Sequence, residues 1–310
     1  MARRKKGLPV NGWICLDKPY GLGSTPAVSK VRWVYEAQKA GHAGTLDPLA
    51  SGVLPIALGE ATKTVSFMTD AEKDYSFTVA FGVSTATLDA EGEITGRSEA
   101  RPTREALEAA IPAFIGDIEQ IPPAYSALKI DGQRAYALSR AGEAPEMVSR
   151  PAFIRSLVLT AFDAETASFD VTCGKGFYIR SLARDLCVAT GVEGHVAKLR
   201  RTRVGAFTEA TAIGLENLVD LRHKAAALEV LLPVETALDD IPALALTTED
   251  ASKLSQGRAV VLLPSQVEAL QTVLRDGAQT VLAKLDNTPV SICEVRAGRL
   301  NPVRVFNLQA

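Results

Sequence analysis

The chain has 310 residues, 47% hydrophobic and 23% charged, a balance that excludes a largely disordered protein and suits one large domain with a smaller one. No apolar run approaches membrane-spanning length and the four cysteines are widely spaced, so we expect a cytoplasmic protein with free thiols and no bound metal. The net charge of −2 argues against nucleic-acid binding unless the charge is patchy, and two clusters are basic, at residues 3–6 and 198–203.

A helix and a strand are predicted in the first third of the chain. The helix is expected to begin at Ser24 or Thr25, where either hydroxyl caps it, and to end at Gly41. Residues 75–82 alternate apolar and polar side chains, which predicts a strand whose buried face begins with Tyr75.

The middle of the chain continues this alternation of elements. Thr103 is predicted to cap a helix over residues 103–111, and Gly191 to end a later helix. Residues 153–159 and 169–173 have the composition of strands. Strands interrupted by helices predict an α+β domain with a largely antiparallel sheet.

Two segments stand apart from this pattern. Residues 123–150 are polar and look like an insertion, and residues 233–242 look like a domain boundary. Beyond the boundary, a short β-rich unit is suggested by residues 254–257, 290–295 and 302–307.

The most informative stretch is residues 41–52, which is rich in glycine yet carries one imidazole and one carboxylate. Its glycines permit tight turns and close approach to a ligand. Pro48 biases Asp47 toward an extended conformation, so the carboxylate lies on a stiff loop that suits a single reactive group. Taken alone, an Asp-Pro turn at the surface explains the pattern equally simply.

Residues 41–55, GHAGTLDPLASGVLP, resemble the GHxGxLDPxAxGxLP motif of the TruB family, whose members are tRNA pseudouridine synthases. Other family motifs are matched in the expected order by residues 18–21 (KPYG), 59–63 (GEATK), 74–75 (DY), 122–129 (PPAYSALK), 175–182 (KGFYIRSL) and 195–201 (HVAKLRR). The ordered set covers about residues 11–205 and is far more specific than its individual parts.

The resemblance implies a pseudouridine synthase fold with a mixed, largely antiparallel sheet. It implies a catalytic domain over residues 1–240, a mobile arm over residues 123–150 that closes on RNA, and a PUA-like RNA-binding domain over residues 241–310. The implied reaction is isomerisation of uridine to pseudouridine at position 55 in the T loop of tRNA, after the base is flipped out. No net redox change or hydrolysis occurs, so we expect no cofactor.

The resemblance also implies roles for particular residues. Asp47 is the catalytic carboxylate, Arg180 keeps it charged and aligned, and Tyr75 lies against the target base. Substrate contacts are implied for His42, which would insert into the T loop, and for Tyr178 and Leu199. Lys18 is expected near the catalytic loop as a structural or substrate-binding residue, and Lys63 is expected to contact phosphate or to pair with a carboxylate. Without the family pattern, Arg180 would be interpreted as a helix-surface arginine and Tyr75 as a core aromatic.

Two departures from the family pattern are evident. Ala86 stands where the family's TDTxDxxG segment has its first acidic residue, although Asp89 is retained, and Phe177 replaces the usual threonine of KGTYIR. Relatives that use a guide RNA share the catalytic motif but carry basic extensions and need partner proteins. The short N-terminus and self-contained length here favour an enzyme that acts on tRNA without an obligatory protein partner, and we expect a monomer.

Two other functions are compatible with parts of the pattern. One is a non-catalytic module on the same fold that binds or refolds RNA, although such a module has no need of a buried carboxylate. The other is a carboxylate hydrolase, which would need a second acid near Asp47 or a metal, and the matching motifs offer neither.

Overall fold

The strand predicted from the alternation at Tyr75 lies at the centre of a ten-stranded mixed sheet. The computed structural model describes residues 7–126, 128–130, 133–134, 146–273 and 279–308. The strands up to the second half of the chain are β1 Gly12–Lys18, β2 Ala40–His42, β3 Ala50–Leu58, β4 Lys73–Phe81, β5 Val83–Thr85, β6 Ile94–Arg97, β7 Gly116–Gln120, β8 Lys129–Ile130, β9 Gln133–Arg134, β10 Arg150–Phe162, β11 Thr166–Cys173, β12 Gly194–Val204, β13 Phe207–Thr208 and β14 Ile213–Gly214.

The main sheet has the strand order β14-β1-β3-β12-β4-β11-β10-β7, with β2 paired to β3 and β13 to β12. In the described part of the chain its pairings are antiparallel except β1 with β14 and β3 with β12. The expected α+β class and largely antiparallel sheet are therefore confirmed.

The buried face of β4 explains why this strand is central. Its side chains alternate between buried and half-buried along its whole length, as the sequence predicted. Phe77 stacks on Phe169 of β11 with ring centroids 5.2 Å apart, a favourable offset aromatic pair. Tyr75 is the third residue of β4 and faces the same side, near the strand's beginning.

Eight α-helices accompany these strands in the part of the chain that the structure describes. They are α1 Ser24–Val34, α2 Val65–Asp70, α3 Arg104–Ala110, α4 Ile179–Ala189, α5 Leu215–Asp220, α6 Ala226–Glu229, α7 Thr248–Ser255 and α8 Pro264–Val273. The predicted cap of α3 is confirmed, because the Thr103 hydroxyl accepts from the Ala106 N–H. Gly191, with φ +70°, follows the end of α4 as predicted.

The predicted start of α1 at Ser24 is confirmed, but its predicted cap and its predicted end at Gly41 were wrong. Gly23 is the N-cap residue and no side chain caps the helix; the hydroxyl of Ser24 is bonded to the backbone of Leu46 instead. The helix ends at Val34, and Glu36 then takes a left-handed conformation with φ 50°, which turns the chain well before Gly41. Gly41 lies within β2.

A second, five-stranded sheet follows in the order β15-β17-β18-β19-β16. Its strands are β15 Ala243–Ala245, β16 Val260–Val261, β17 Thr280–Leu285, β18 Thr288–Arg296 and β19 Arg299–Val305. The β-rich C-terminal unit is thus confirmed, whereas the division at residue 240 stays a prediction. Residues 254–257 are not a strand: they end α7, which Thr247 caps and whose Leu254 is buried against this sheet.

The two sheets share an apolar layer. Trp13 of β1 packs on Phe207 with ring centroids 5.2 Å apart, and the same cluster includes Ile292 and Phe306 from the C-terminal unit. All four cysteines are free and buried, as expected. Within the described ranges, no helix is long and apolar enough to cross a membrane.

One basic cluster and part of the predicted arm lie outside the described residues. These are the basic residues 3–6 and, within the predicted arm, residues 127, 131–132 and 135–145. The described part of the arm includes the short hairpin formed by β8 and β9.

Candidate active site

A cavity of about 270 Å³ opens where the loop before β3, the start of β4, the middle of β12 and the beginning of α4 meet. Five of the residues predicted from the sequence line it: Asp47, Tyr75, Tyr178, Arg180 and Leu199. These residues come from four separate segments, which the strand order β3-β12-β4 brings side by side.

The loop that carries Asp47 is anchored by hydrogen bonds with residues 18–24. The Ser24 hydroxyl both donates to and accepts from the backbone of Leu46, each at 2.8 Å. The Pro48 carbonyl accepts from the Gly21 N–H at 2.8 Å and from Lys18 Nζ at 3.4 Å. The residues on either side of Asp47 are therefore both anchored to the segment around β1 and α1.

Asp47 forms an ion pair with Arg180. The Asp47 Oδ2 atom lies 2.9 Å from Arg180 Nη2, and the side chain of Arg180 is only 7% exposed while that of Asp47 is 40% exposed. The guanidinium is further fixed because it donates to the Thr87 carbonyl at 2.7 Å and to the Tyr125 carbonyl at 2.9 Å. A rigid buried cation thus holds an ionised carboxylate that still faces the cavity.

A second carboxylate lies against the same guanidinium. Asp89 Oδ2 is 3.5 Å from Arg180 Nη1, and Asp89 is itself fixed by the Thr87 hydroxyl and the Glu91 N–H. The sequence analysis noted Asp89 only as a retained motif position and gave it no role. Ala86 leaves this pairing untouched, since the contacts of Arg180 use Asp89 and the Thr87 carbonyl.

Tyr75 and Tyr178 are the two phenols of the cavity wall. Burial raises the pKa of Tyr75 above its usual value, and it also raises the pKa of Tyr178. Both side chains are therefore neutral near pH 7. The backbone of Tyr178, just before α4, is clamped by Gln120, whose side-chain amide accepts from the Tyr178 N–H and donates to its carbonyl.

Three predicted substrate contacts lie elsewhere. Lys18 is fully buried, and its ammonium donates to the carbonyls of Pro19, Leu22 and Pro48. Lys18 therefore anchors the Asp47 loop from the protein interior. Burial lowers the pKa of its ammonium to about 8. His42 lies half-buried in β2, and burial lowers its pKa, which favours the neutral imidazole.

Lys63 is also placed outside the cavity. It pairs with Glu60 at 2.5 Å and donates to the Val305 carbonyl of β19 at 2.7 Å. The Glu60 carboxylate in turn accepts from the Asn307 N–H at 2.7 Å. The GEATK segment therefore connects the main sheet to the C-terminal sheet.

The basic cluster at residues 198–203 is largely used within the molecule. Arg200 pairs with Asp17 at 3.0 Å, and Arg203 pairs with Asp74 at 2.6 Å. Arg201 is buried and donates to backbone carbonyls. Of the four cations, only Lys198 is exposed, and the three arginines are held by contacts within the molecule.

Two residues of the cavity floor were missed. Lys73 and Arg201 line the cavity together with Asp47. Arg201 follows Leu199 by two positions on β12, so the alternation of side chains along a strand places both on the same face. That periodicity was the available signal for Arg201. Lys73, the first residue of β4, likewise shares a face with Tyr75.

Two family models together match residues 32–239, and curated relatives match nearly the whole chain. The model described as TruB family pseudouridylate synthase (N terminal domain) matches residues 32–179, and that of the tRNA pseudouridylate synthase B C-terminal domain matches residues 180–239. The chain is 61% identical over 309 residues to tRNA pseudouridine synthase B of Caulobacter sp. (strain K31), covering 99% of this chain and 100% of that protein. Identity to the protein of the same name from Dinoroseobacter shibae is 50%, with coverages of 99% and 98%.

Solved structures show the same fold. A chain of a Cbf5-Nop10-Gar1 complex matches with a TM-score of 0.72 and 24% identity, covering 95% of this chain and 84% of that one. A chain of an H/ACA RNP bound to a substrate RNA containing 2'-deoxyuridine matches with a TM-score of 0.72 and 21% identity, with coverages of 99% and 92%.

The mixed sheet and its cavity, with one carboxylate held by a buried guanidinium, are those of a pseudouridine synthase. More particularly, the identity to full-length relatives and the two matching family models show that this chain belongs to the TruB family.

Proposed function

We propose that the protein isomerises uridine to pseudouridine at position 55 in the T loop of tRNA, with Asp47 as the catalytic carboxylate. The observation that carries the proposal is the Asp47–Arg180 pair, in which a buried guanidinium holds a carboxylate that faces the cavity. The tRNA substrate is supported by relatives up to 61% identical that are named tRNA pseudouridine synthase B.

The reaction breaks the N1–C1′ bond of uridine, turns the base and joins C5 to C1′. A carboxylate can assist by adding to C1′, by adding to C6 or by removing a sugar proton. Each route requires the carboxylate to stay ionised and aligned when the substrate displaces water. Arg180 provides both conditions for Asp47, because an adjacent cation opposes the effect of desolvation and fixes the geometry.

The remaining walls of the cavity suit a flat, polar base. Tyr75 is proposed to stack on the uracil ring, and its neutral hydroxyl is hydrogen-bonded to the Arg201 guanidinium. Tyr178 and Leu199 complete the wall on either side.

The target uridine must leave the stacked T loop before it can enter this cavity, at a cost of a few kcal/mol. We propose that His42 fills the space that the base leaves. A neutral imidazole stacks among bases without the cost of burying a charge, and the lowered pKa of His42 supports this role. The arm over residues 123–150 and a PUA-like domain over residues 241–310 are proposed to hold the rest of the RNA, in a protein that acts in the cytoplasm as a monomer without an obligatory protein partner.

The test is to incubate the purified protein with an unmodified tRNA transcript, without cofactor or added metal, and to map pseudouridine by carbodiimide labelling. Product at position 55, and none in a transcript with cytidine at that position, is the expected result. A protein that binds the transcript but forms no pseudouridine anywhere would instead be the non-catalytic RNA-binding module.

A further inference from the structure

Two buried cations on the cavity floor have no carboxylate partner among the described residues. Arg201 is 1% exposed and Lys73 is 7% exposed. The neighbouring Arg180, by contrast, is balanced by Asp47 and Asp89. Buried charges in proteins are normally paired, because an isolated one is costly to remove from water.

These two cations have more N–H donors than their hydrogen bonds within the protein use. Arg201 Nε donates to the Val53 carbonyl at 2.8 Å, its Nη2 donates to the Gly44 carbonyl at 3.2 Å, and the guanidinium also hydrogen-bonds the Tyr75 hydroxyl. Lys73 Nζ donates to the carbonyls of Thr69 at 2.9 Å and Ala71 at 2.6 Å, at the end of α2. A lysine ammonium has three donors, so one N–H of Lys73 remains for a group in the cavity.

The charged and titratable groups that face Lys73 come from every element around it. They are Arg201 of β12, Cys173 of β11, Asp70 of α2 and Lys175 of the loop before α4. Asp70 is itself paired with Lys175 at 3.0 Å near the surface. The floor therefore has an excess of positive charge that an anionic or electron-rich ligand would balance.

We propose that Lys73 and Arg201 take up the negative charge that gathers on the uracil ring during the reaction, with Lys73 donating its third N–H to a ring oxygen. When the N1–C1′ bond breaks, its electron pair stays with uracil. Once C5 has bonded to C1′, C5 loses its proton and N1 gains one, so charge is restored without a redox step. A donor fixed in a buried site is worth most where charge develops in this way. This inference rests on the proposed function.

The direct test compares Lys73→Met and Lys73→Arg with the wild type in single-turnover assays with saturating enzyme. Lys73→Met should lower the rate about 10²-fold, as expected for loss of one preorganised donor, while the Kd for tRNA changes less than about threefold. Lys73→Arg should retain most of the rate. The matched control is Lys30→Met, which removes an exposed lysine of α1 that does not line the cavity and should leave the rate within about threefold.

A second substrate separates charge stabilisation from the support that Lys73 gives to α2. Fluorine at C5 withdraws electrons and stabilises the uracil anion. Cleavage of the N1–C1′ bond is therefore measured in tRNA that carries 5-fluorouridine at the target position. The effect of Lys73→Met should be several times smaller with this substrate. A merely structural defect would lower both rates by the same factor and would overturn the proposal.

The pH profile gives a readout that does not require the methionine variant to fold. Burial, and then Arg201, lowers the pKa of Lys73 to about 8. The wild-type rate should therefore fall as the pH rises through about 8, and the fall should be smaller for Lys73→Arg, in which Lys18, whose pKa is also about 8, is left to lose its proton there. Identical alkaline limbs for the two proteins would contradict the inference. A wild type that forms no pseudouridine at any pH would contradict the proposed function instead.

Discussion

The hydroxyl of Ser24 exchanges two hydrogen bonds with the backbone of Leu46, donating to its carbonyl and accepting from its N–H, both at 2.8 Å. Ser24 is the first residue of α1, and Leu46 directly precedes the catalytic candidate Asp47. Both ends of this contact are buried, so the contact fixes the backbone of the Asp47 loop against the helix.

Ser24→Ala should therefore lower both stability and activity. Leaving the Leu46 N–H and carbonyl buried without partners costs about 1–3 kcal/mol of unfolding free energy, measurable by urea denaturation. The single-turnover rate should also fall, because Asp47 loses its alignment. Ser29→Ala is the control, since that hydroxyl is on the exposed face of the same helix and should change neither quantity. Equal effects of the two variants would show that the loop does not depend on Ser24.

Asp89→Asn tests the second carboxylate on Arg180. The amide keeps an acceptor for the Glu91 N–H but removes the charge 3.5 Å from the guanidinium. Arg180 is then less firmly held, and the rate should fall at least about tenfold, equivalent to about 1.4 kcal/mol in the barrier. Binding of tRNA should be unchanged. An unchanged rate would mean that the Thr87 and Tyr125 carbonyls alone suffice to orient Arg180.

Lys63→Met distinguishes a structural role from contact with RNA. Its ammonium joins Glu60 to the Val305 carbonyl, so its loss should loosen the C-terminal strand against the main sheet. Hydrogen–deuterium exchange around residues 305–307 should become faster while the Kd for tRNA stays within about twofold. If exchange is unchanged and tRNA binding weakens tenfold, Lys63 contacts substrate as the family resemblance implied.

His42 should make the folded protein sensitive to mild acid. Burial lowers its pKa from the ordinary value of 6.5, so the folded state binds its proton less well than the unfolded state does. This contribution to stability is complete above pH 6.5 and is lost as the pH falls below it. Urea denaturation at pH 7.5 and 5.5 should therefore show a smaller acid loss for His42→Gln than for the wild type. Equal losses would mean that His42 has the same pKa in both states.

Periodicity predicted the fold well where one face of an element is buried. The alternation that begins at Tyr75 identified β4, and Thr103 and Gly191 marked the ends of two helices. The pattern failed where a polar side chain has a distant partner. Ser24 resembles a helix cap, yet it binds Leu46, which is close only after β2 and β3 have paired.

The candidate site was also predicted only in part. The motifs predicted that Asp47, Tyr75 and Arg180 share one site, but two cations were overlooked. Arg201 stands in a basic run and Lys73 stands between Glu72 and Asp74, and both patterns usually indicate a solvated surface. Their burial depends on the positions of β3 and α2 against β4 and β12. Strand periodicity indicates which face of the sheet these two cations share with Leu199 and Tyr75, but local sequence patterns cannot show that the face is buried there.

The most direct measurement is the single-turnover rate of pseudouridine formation by the wild type and by Asp47→Asn, with tRNA binding measured for both. The asparagine keeps the size of the side chain and removes its charge. Equal binding with no product from Asp47→Asn is the predicted result. Product formation by Asp47→Asn at the wild-type rate would show that the carboxylate held by Arg180 is not the group that drives the reaction.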